Sequence, residues 1–208
     1  MNTQDFRKAY NKHSFEHIKA PGARDAAVMI PLVENQDGEL SVLFEVRSQK
    51  IIQGGEVCFP GGRVEENESP DTTVIREAVE ELLIPEDQIH IIAPLFTMNG
   101  VGDSFIFSYL AEFQDYKGSY SGDEVGSVFL LPLDELLAMK PRICSAEYVA
   151  DLPEDFPYEL IPGGRNYRWR NRPKNFYFYE TRYGVIWGMT AELLYNFLER
   201  VRKLEIHN

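Results

Sequence analysis

Cysteine is scarce: the chain has two, Cys58 and Cys144. Two thiols cannot build a disulfide framework or a cysteine-based zinc site. Positive charge is in deficit as well. The 21 Lys and Arg face 33 Asp and Glu, a formal net charge of −12. A binder of nucleic acid or of an anionic membrane needs the opposite balance, because Lys and Arg hold phosphates. A small phosphorylated ligand, held through a metal ion or a local basic patch, remains compatible with that charge. Long apolar runs are missing too. No stretch approaches the roughly 20 residues of a spanning helix, and the opening MNTQDFRKAYNKHSF has no apolar signal core. These absences point to a reducing cytoplasm, with no nucleic acid and no membrane as partner. His13, His17, His90 and His207 lack metal-ligand spacing and read as structural or surface residues. Repeats and low-complexity tracts are absent.

What is there suits one globular domain. The chain has 208 residues, of which 44% are hydrophobic, enough for a real core. The expectation is a single domain over 1–208, with a helical lead-in over about 1–20 (residues 3–18 being helix-like) and a closing helix over about 190–204. AAVMIPLV and LSVLFEV read as strands, and the NQDGE turn between them predicts a hairpin. QKIIQGGEVCFPGGRVEENE reads as a loop. IHIIAPLF, SFIFSYLAEF and VGSVFLLPL are further strands, PLDELLAM a short helix, and NFYFYET with YGVIWGM a second hairpin. TAELLYNFLERVRKL closes the chain as an amphipathic helix, with Thr190 as its expected N-cap. Strands dominate the middle and one strong helix lies between them. The class is a mixed α/β or α+β sandwich.

That helix carries the chemistry. Ser69 is placed to cap it, Pro70 suits its first turn, and Pro85 ends it after Ile84. At about 100° per residue, Glu77, Glu80 and Glu81 share one face. Ile75, Ala78, Val79, Leu82 and Leu83 would lie opposite, against a core, leaving the acidic face pointing away from it. Glu77 and Glu81 are a repulsive i,i+4 pair, while Arg76 and Glu80 have the spacing of a salt bridge. Two explanations compete. One is a solvated acidic face, the commonest fate of a Glu-rich helix. The other is a site for a hard divalent cation, which takes oxygen ligands and meets an anionic substrate. The preceding Gly61 and Gly62 tilt the balance to the second, since bare glycines let backbone come close and offer a carbonyl oxygen.

The stretch from Gly62 to Ile84 resembles the signature box of the Nudix hydrolases, Gly-x5-Glu-x7-Arg-Glu-U-x-Glu-Glu-x-Gly-U, with U aliphatic. Gly62, Glu68, Arg76, Glu77, Ala78, Glu80, Glu81 and Ile84 fall in register. Leu83 replaces the last glycine, which puts the local turn in question rather than the acidic face, and Ala78 is small for its aliphatic position. Upstream, LFEVRS and FPGG are similar to the coenzyme A pyrophosphatase branch, with Arg47, Ser48, Gly55, Phe59, Pro60, Gly61 and Gly62 matching. Ile52 stands where that branch has a second arginine, and the next spacer is one residue short. Downstream, DEVGSVFLLPL and FYFYETRYGVIWGMTAELLYNFL also look like that branch.

The resemblance implies a Nudix-type α/β/α sandwich around a mixed β-sheet. It implies metal-dependent hydrolysis of a diphosphate linkage with Mg²⁺ or Mn²⁺, most simply of coenzyme A or acyl-CoA to 3′,5′-ADP and (acyl-)4′-phosphopantetheine. Glu77, Glu80, Glu81 and the Gly61 carbonyl would hold metal, and Arg76 would orient the glutamates through Glu77 or Glu80. The general base is a glutamate of the box such as Glu77, or Glu124 in GDEV, which equally reads as a solvated turn acid. Arg47, Ser48, Gly61 and Gly62 would bind substrate, though Arg47 equally reads as a residue that only closes a strand by a salt bridge. Two alternatives stay open: a Nudix hydrolase of another nucleoside diphosphate derivative (ADP-ribose or a dinucleotide), and a nucleotide-binding module without turnover. RNYRWRNRPK, from Arg165 to Lys174, reads as a solvated strand or a homodimer contact before a contact for a 3′-phosphate or adenine. Tyr177, Phe178, Tyr179 and Trp187 read as core or interface packing, and Cys58 as a small buried residue rather than a nucleophile.

Overall fold

Alternation and one turn start the fold. In the computed structural model, which describes residues 3–10, 18–170 and 172–205, strands β1 (Ala26–Glu34) and β2 (Leu40–Arg47) pair antiparallel, with Leu32 opposite Val42. Asn35 makes the turn: its Oδ1 accepts hydrogen bonds from Asp37 N at 3.0 Å and Glu39 N at 2.9 Å, the Asx geometry expected of that residue. The predicted glycine-rich loop is not featureless. It contains two short strands, β3 (Val57–Cys58) on β2 and β4 (Gly61–Arg63) on β1. Helix α2 (Pro70–Leu82) follows. Then come β5 (Ile89–Asn99), β6 (Phe105–Phe113) and β7 (Val125–Pro132). These seven strands form one sheet, ordered β3-β2-β1-β6-β5, with β4 also on β1 and β7 also on β2. The β1–β6 pair is parallel and the others antiparallel, so the sheet is mixed.

Helix α3 (Leu133–Ala138) leads to a second, three-stranded sheet of β8 (Arg142–Tyr148), β9 (Arg172–Thr181) and β10 (Gly184–Ile186). Helix α4 (Gly188–Glu205) closes the chain. A strand's neighbours point to opposite faces, and that rule divides the core. Ala27, Met29 and Leu43 pack against Val74, Ala78 and Leu82 of α2. Ile30 and Phe44 turn the other way, to Leu136 of α3, Tyr179 of β9, and Leu194, Phe197 and Leu198 of α4. The architecture is a mixed α/β sandwich, as expected.

Several local readings change. Ser69 stands at the N-cap of α2 in extended conformation, but its hydroxyl pairs with Thr72 Oγ1 instead of capping the backbone. Helix α2 ends at Leu82, not Ile84. Leu83 adopts φ 52°, ψ 32°, and its side chain is 56% exposed rather than buried. Thr190 lies inside α4, which begins at Gly188, so it is not the cap. Strand β8 was missed in the sequence. The lead-in is helical over Thr3–Tyr10; the rest of that reading falls partly on 11–17, outside the described residues, as do His13, His17 and His207. His90 is exposed. Among the described residues, no helix is long and apolar enough to cross a membrane.

Candidate active site

Strand β4 and helix α2 build the site between them. Arg76 is its hub. Its Nε donates to Glu68 Oε1 at 2.9 Å and its Nη2 to Glu68 Oε2 at 3.1 Å, a bidentate pair. Nη1 reaches Glu77 Oε1 at 2.9 Å and Glu80 Oε2 at 3.1 Å. Nη2 also donates to the Arg63 carbonyl at 3.2 Å, which ties α2 to β4. Arg76 thus bonds Glu77 and Glu80 together, but its bidentate contact is with Glu68. Thr73 Oγ1 and Glu65 N also donate to Glu68. These bonds, that from Arg76 first, hold the Glu68 carboxyl down at about 2.

Glu81 departs from expectation. Its side chain does not point away from the core but is buried, and its Oε2 accepts a hydrogen bond from Gly61 N at 2.9 Å. Burial is the first cause that lifts the Glu81 carboxyl to about 8; the Gly61 N–H opposes it, and the Glu77 and Glu124 charges add to it. Burial also raises Glu77, against the pull of Arg76. The Glu77 carboxylate lies over Gly62, where a Cβ would come within 2.1 Å of Glu77 Oε1. The β1–β4 ladder bonds Met29 N to the Pro60 carbonyl and Val64 N to the Asp25 carbonyl. By antiparallel alternation, the intervening Val28–Gly61 pair is non-hydrogen-bonded, so the Gly61 N–H and C=O face away from β1. That edge is the one Glu81 meets.

A loop after β6 closes the far end of α2. Ser121 N donates to the Glu81 carbonyl at 2.7 Å and Ser119 Oγ to the Leu82 carbonyl at 2.7 Å. The same loop brings in Glu124, which is exposed. Its carbonyl accepts from Ser48 N at 2.8 Å, and Lys50 Nζ reaches Asp123 Oδ1 at 3.4 Å. Ser48 itself is buried. Arg47 forms no strand-closing ion pair among the described residues. Its Nε donates to the Ile52 carbonyl at 3.1 Å, and its side chain lines a cavity of about 330 Å³. Val28, Val57, Phe59, Trp187 and Leu193 also line that cavity. Gly61 and Gly62 line it too, so the glutamates and the cavity meet at these two glycines.

The remaining residues play other parts. Tyr179 is buried, Tyr177 stacks on Tyr195 at 4.2 Å, and Phe178 stacks on Trp187 at 6.4 Å. In the basic run, Arg168 and Arg170 are exposed and Arg165 lies over the Tyr158 ring. Burial, then the charges of Glu45 and Glu81, pushes the Cys58 thiol up to about 12, which suits no nucleophile. One acid was missed. Glu45 is 1% exposed, and burial, with Glu81 next, raises its carboxyl well above the usual range. The signal was a lone charge inside the otherwise apolar run VLFEV.

Among the described residues, no three Asp, Glu, His or Cys side chains converge as a ready metal cage. Glu77 and Glu80 each give one oxygen to Arg76. The donor chemistry still fits a hard cation. It comprises carboxylates and an outward strand carbonyl, with more negative charge than Arg76 alone balances.

Comparison with known proteins agrees in kind. The family model of the NUDIX domain matches residues 23–152. Peroxisomal coenzyme A diphosphatase NUDT7 of Mus musculus is 31% identical over 133 residues, 62% of this chain and 55% of that protein. The chain thus spans little more than half the length of that relative. Uncharacterized Nudix hydrolase NudL of Escherichia coli O7:K1 is 30% identical over 200 residues, 92% of this chain and 86% of that one. A crystal structure of a MutT/nudix family protein from Enterococcus faecalis shares 24% identity at TM-score 0.44, covering 64% of this chain and 51% of that one. The acidic helix, the paired glycines before it and a domain match over most of the chain lead to one conclusion: the chain belongs to the NUDIX domain family.

Proposed function

We propose that the chain is a Nudix hydrolase that cleaves the diphosphate of coenzyme A or an acyl-CoA, giving 3′,5′-ADP and (acyl-)4′-phosphopantetheine. The observation that carries this reading is the juxtaposition at Gly61 and Gly62 of a carboxylate cluster and a cavity of about 330 Å³. Glu77, Glu80, Glu81 and the Gly61 carbonyl would hold Mg²⁺ or Mn²⁺. A bound cation would supply charge neutralisation at the phosphoryl oxygens and a more acidic water. Arg76 holds Glu77 and Glu80 in place, and Glu68 holds Arg76. Glu124, exposed on its loop, or Glu77 takes the proton from the attacking water, and a phosphate monoester leaves. Arg47 supplies positive charge at the cavity wall, and the bare glycines admit the diphosphate. Ser48 supports from behind through its bond to the Glu124 carbonyl. Free Cys58 and Cys144 suit a reducing compartment such as the cytoplasm. Similarity to the mouse coenzyme A diphosphatase supports the coenzyme A substrate.

A second reading has its own observation. Ile52 stands where the coenzyme A branch has arginine, and it is 84% exposed, so it offers a phosphate nothing. That favours another nucleoside diphosphate derivative, such as ADP-ribose or a dinucleotide. A panel assay decides: monoester release from coenzyme A, acetyl-CoA, ADP-ribose and a dinucleotide, each with Mg²⁺, Mn²⁺ or chelator. The expected result is metal-dependent cleavage of coenzyme A or its acyl form above the others. Cleavage of ADP-ribose alone moves the substrate. Binding without cleavage makes the chain a non-catalytic module.

A further inference from the structure

Glu45 is a carboxylate without an evident reason. It lies on β2 with 1% exposure, in a strand whose neighbours Leu43 and Phe44 are wholly buried. Strand alternation puts Glu45 on the face of Leu43, the face that α2 covers. Opposite it stand Cys58 on β3 and Val128 on β7. Its Oε2 receives a weak S–H contact from Cys58 Sγ at 3.9 Å. Its Oε1 has no hydrogen-bond partner among the described residues. The charges that act on it are Glu81 and Glu77 from α2 and Arg47 from its own strand. Glu77 is already paired with Arg76. One guanidinium therefore stands against an excess of carboxylates.

A carboxylate so placed is costly, since burial without a partner forfeits its hydration. Apolar side chains of similar size would fill the same space under α2 at no such cost. Such a cost is retained where a site uses it. A divalent cation beside Glu81, whose charge already acts on Glu45, would supply what Glu45 lacks, a further positive charge in its surroundings. From this geometry we infer that Glu45 is a fourth acidic residue of the cation site, a positioning residue behind Glu81 that strengthens divalent-cation binding. The inference rests on the cation-dependent reading above.

The test measures Mn²⁺ binding by calorimetry on the full chain stripped of metal, together with its melting temperature. Wild type is compared with Glu45→Gln, which keeps the shape without the charge, and Glu45→Asp, which keeps the charge. Glu45→Gln is expected to bind Mn²⁺ at least tenfold more weakly, while its metal-free melting temperature equals or exceeds that of wild type. Glu45→Asp should recover part of the lost affinity. Affinity of Glu45→Gln within threefold of wild type overturns the inference. So does an equal loss in both variants, or a weakened affinity that comes with a lower metal-free melting temperature, because shape rather than charge would then be at work. Wild type that binds no Mn²⁺ at all overturns the cation-dependent reading beneath it.

Discussion

Arg76 binds three carboxylates at once, and this decides how the site responds to acid. Glu68 is held at about 2 against its usual 4.5, first by Arg76. A depressed carboxyl stabilises the fold above its unfolded value and loses that contribution as pH falls through the folded one. Wild type should therefore lose melting temperature between about pH 4.5 and pH 2 more steeply than Glu68→Gln. Parallel acid limbs for the two proteins would contradict the pairing. Gly62 poses a second residue-scale question. An alanine Cβ there would sit 2.1 Å from Glu77 Oε1, the free end of a flexible side chain. The carboxylate can swing aside, so Gly62→Ala should fold with a near-normal melting temperature. Its turnover should fall more than tenfold, because Glu77 leaves its place. A kcat within twofold of wild type would contradict the assigned role of Glu77.

Helix α2 was legible in the sequence because its apolar residues recur with helical period and Pro70 and Pro85 bracket it. The direction of Glu81 was not legible. Its buried carboxylate meets Gly61 on β4, a three-residue strand too short to show any period. Strand β8 escaped for the opposite reason: every residue of RICSAEY is exposed, so the strand has no alternation to read. The helix end shows what leucine costs in place of the box's last glycine. Leu83 takes the left-handed conformation that glycine adopts at no steric cost. Its exposed side chain packs little. Leu83→Gly should therefore stabilise the protein by about 0.5–1 kcal/mol, read by denaturant unfolding. A loss of stability would show that the Leu83 side chain matters more than its backbone.

The whole molecule places two separate apolar layers on the two faces of one sheet, and the candidate site lies at Gly61 and Gly62. Leu82 belongs to the α2 side and Leu194 to the α4 side, and both are fully buried. Leu82→Ala and Leu194→Ala should each cost about 2–5 kcal/mol. With the sheet between them, the double variant should show their sum within about 0.5 kcal/mol. A large coupling would mean that the two layers are not independent. The sandwich itself could be read from strand alternation and the one strong helix. The cavity beside Gly61 could not, because its walls come from β1, β3 and the start of α4, which are far apart in the chain. The most direct test of the account is diffraction from crystals soaked in Mn²⁺, recorded at the manganese edge. An anomalous peak in contact with the Glu77, Glu80 or Glu81 carboxylates is the expected result; saturating Mn²⁺ with no peak beside that helix face would contradict it.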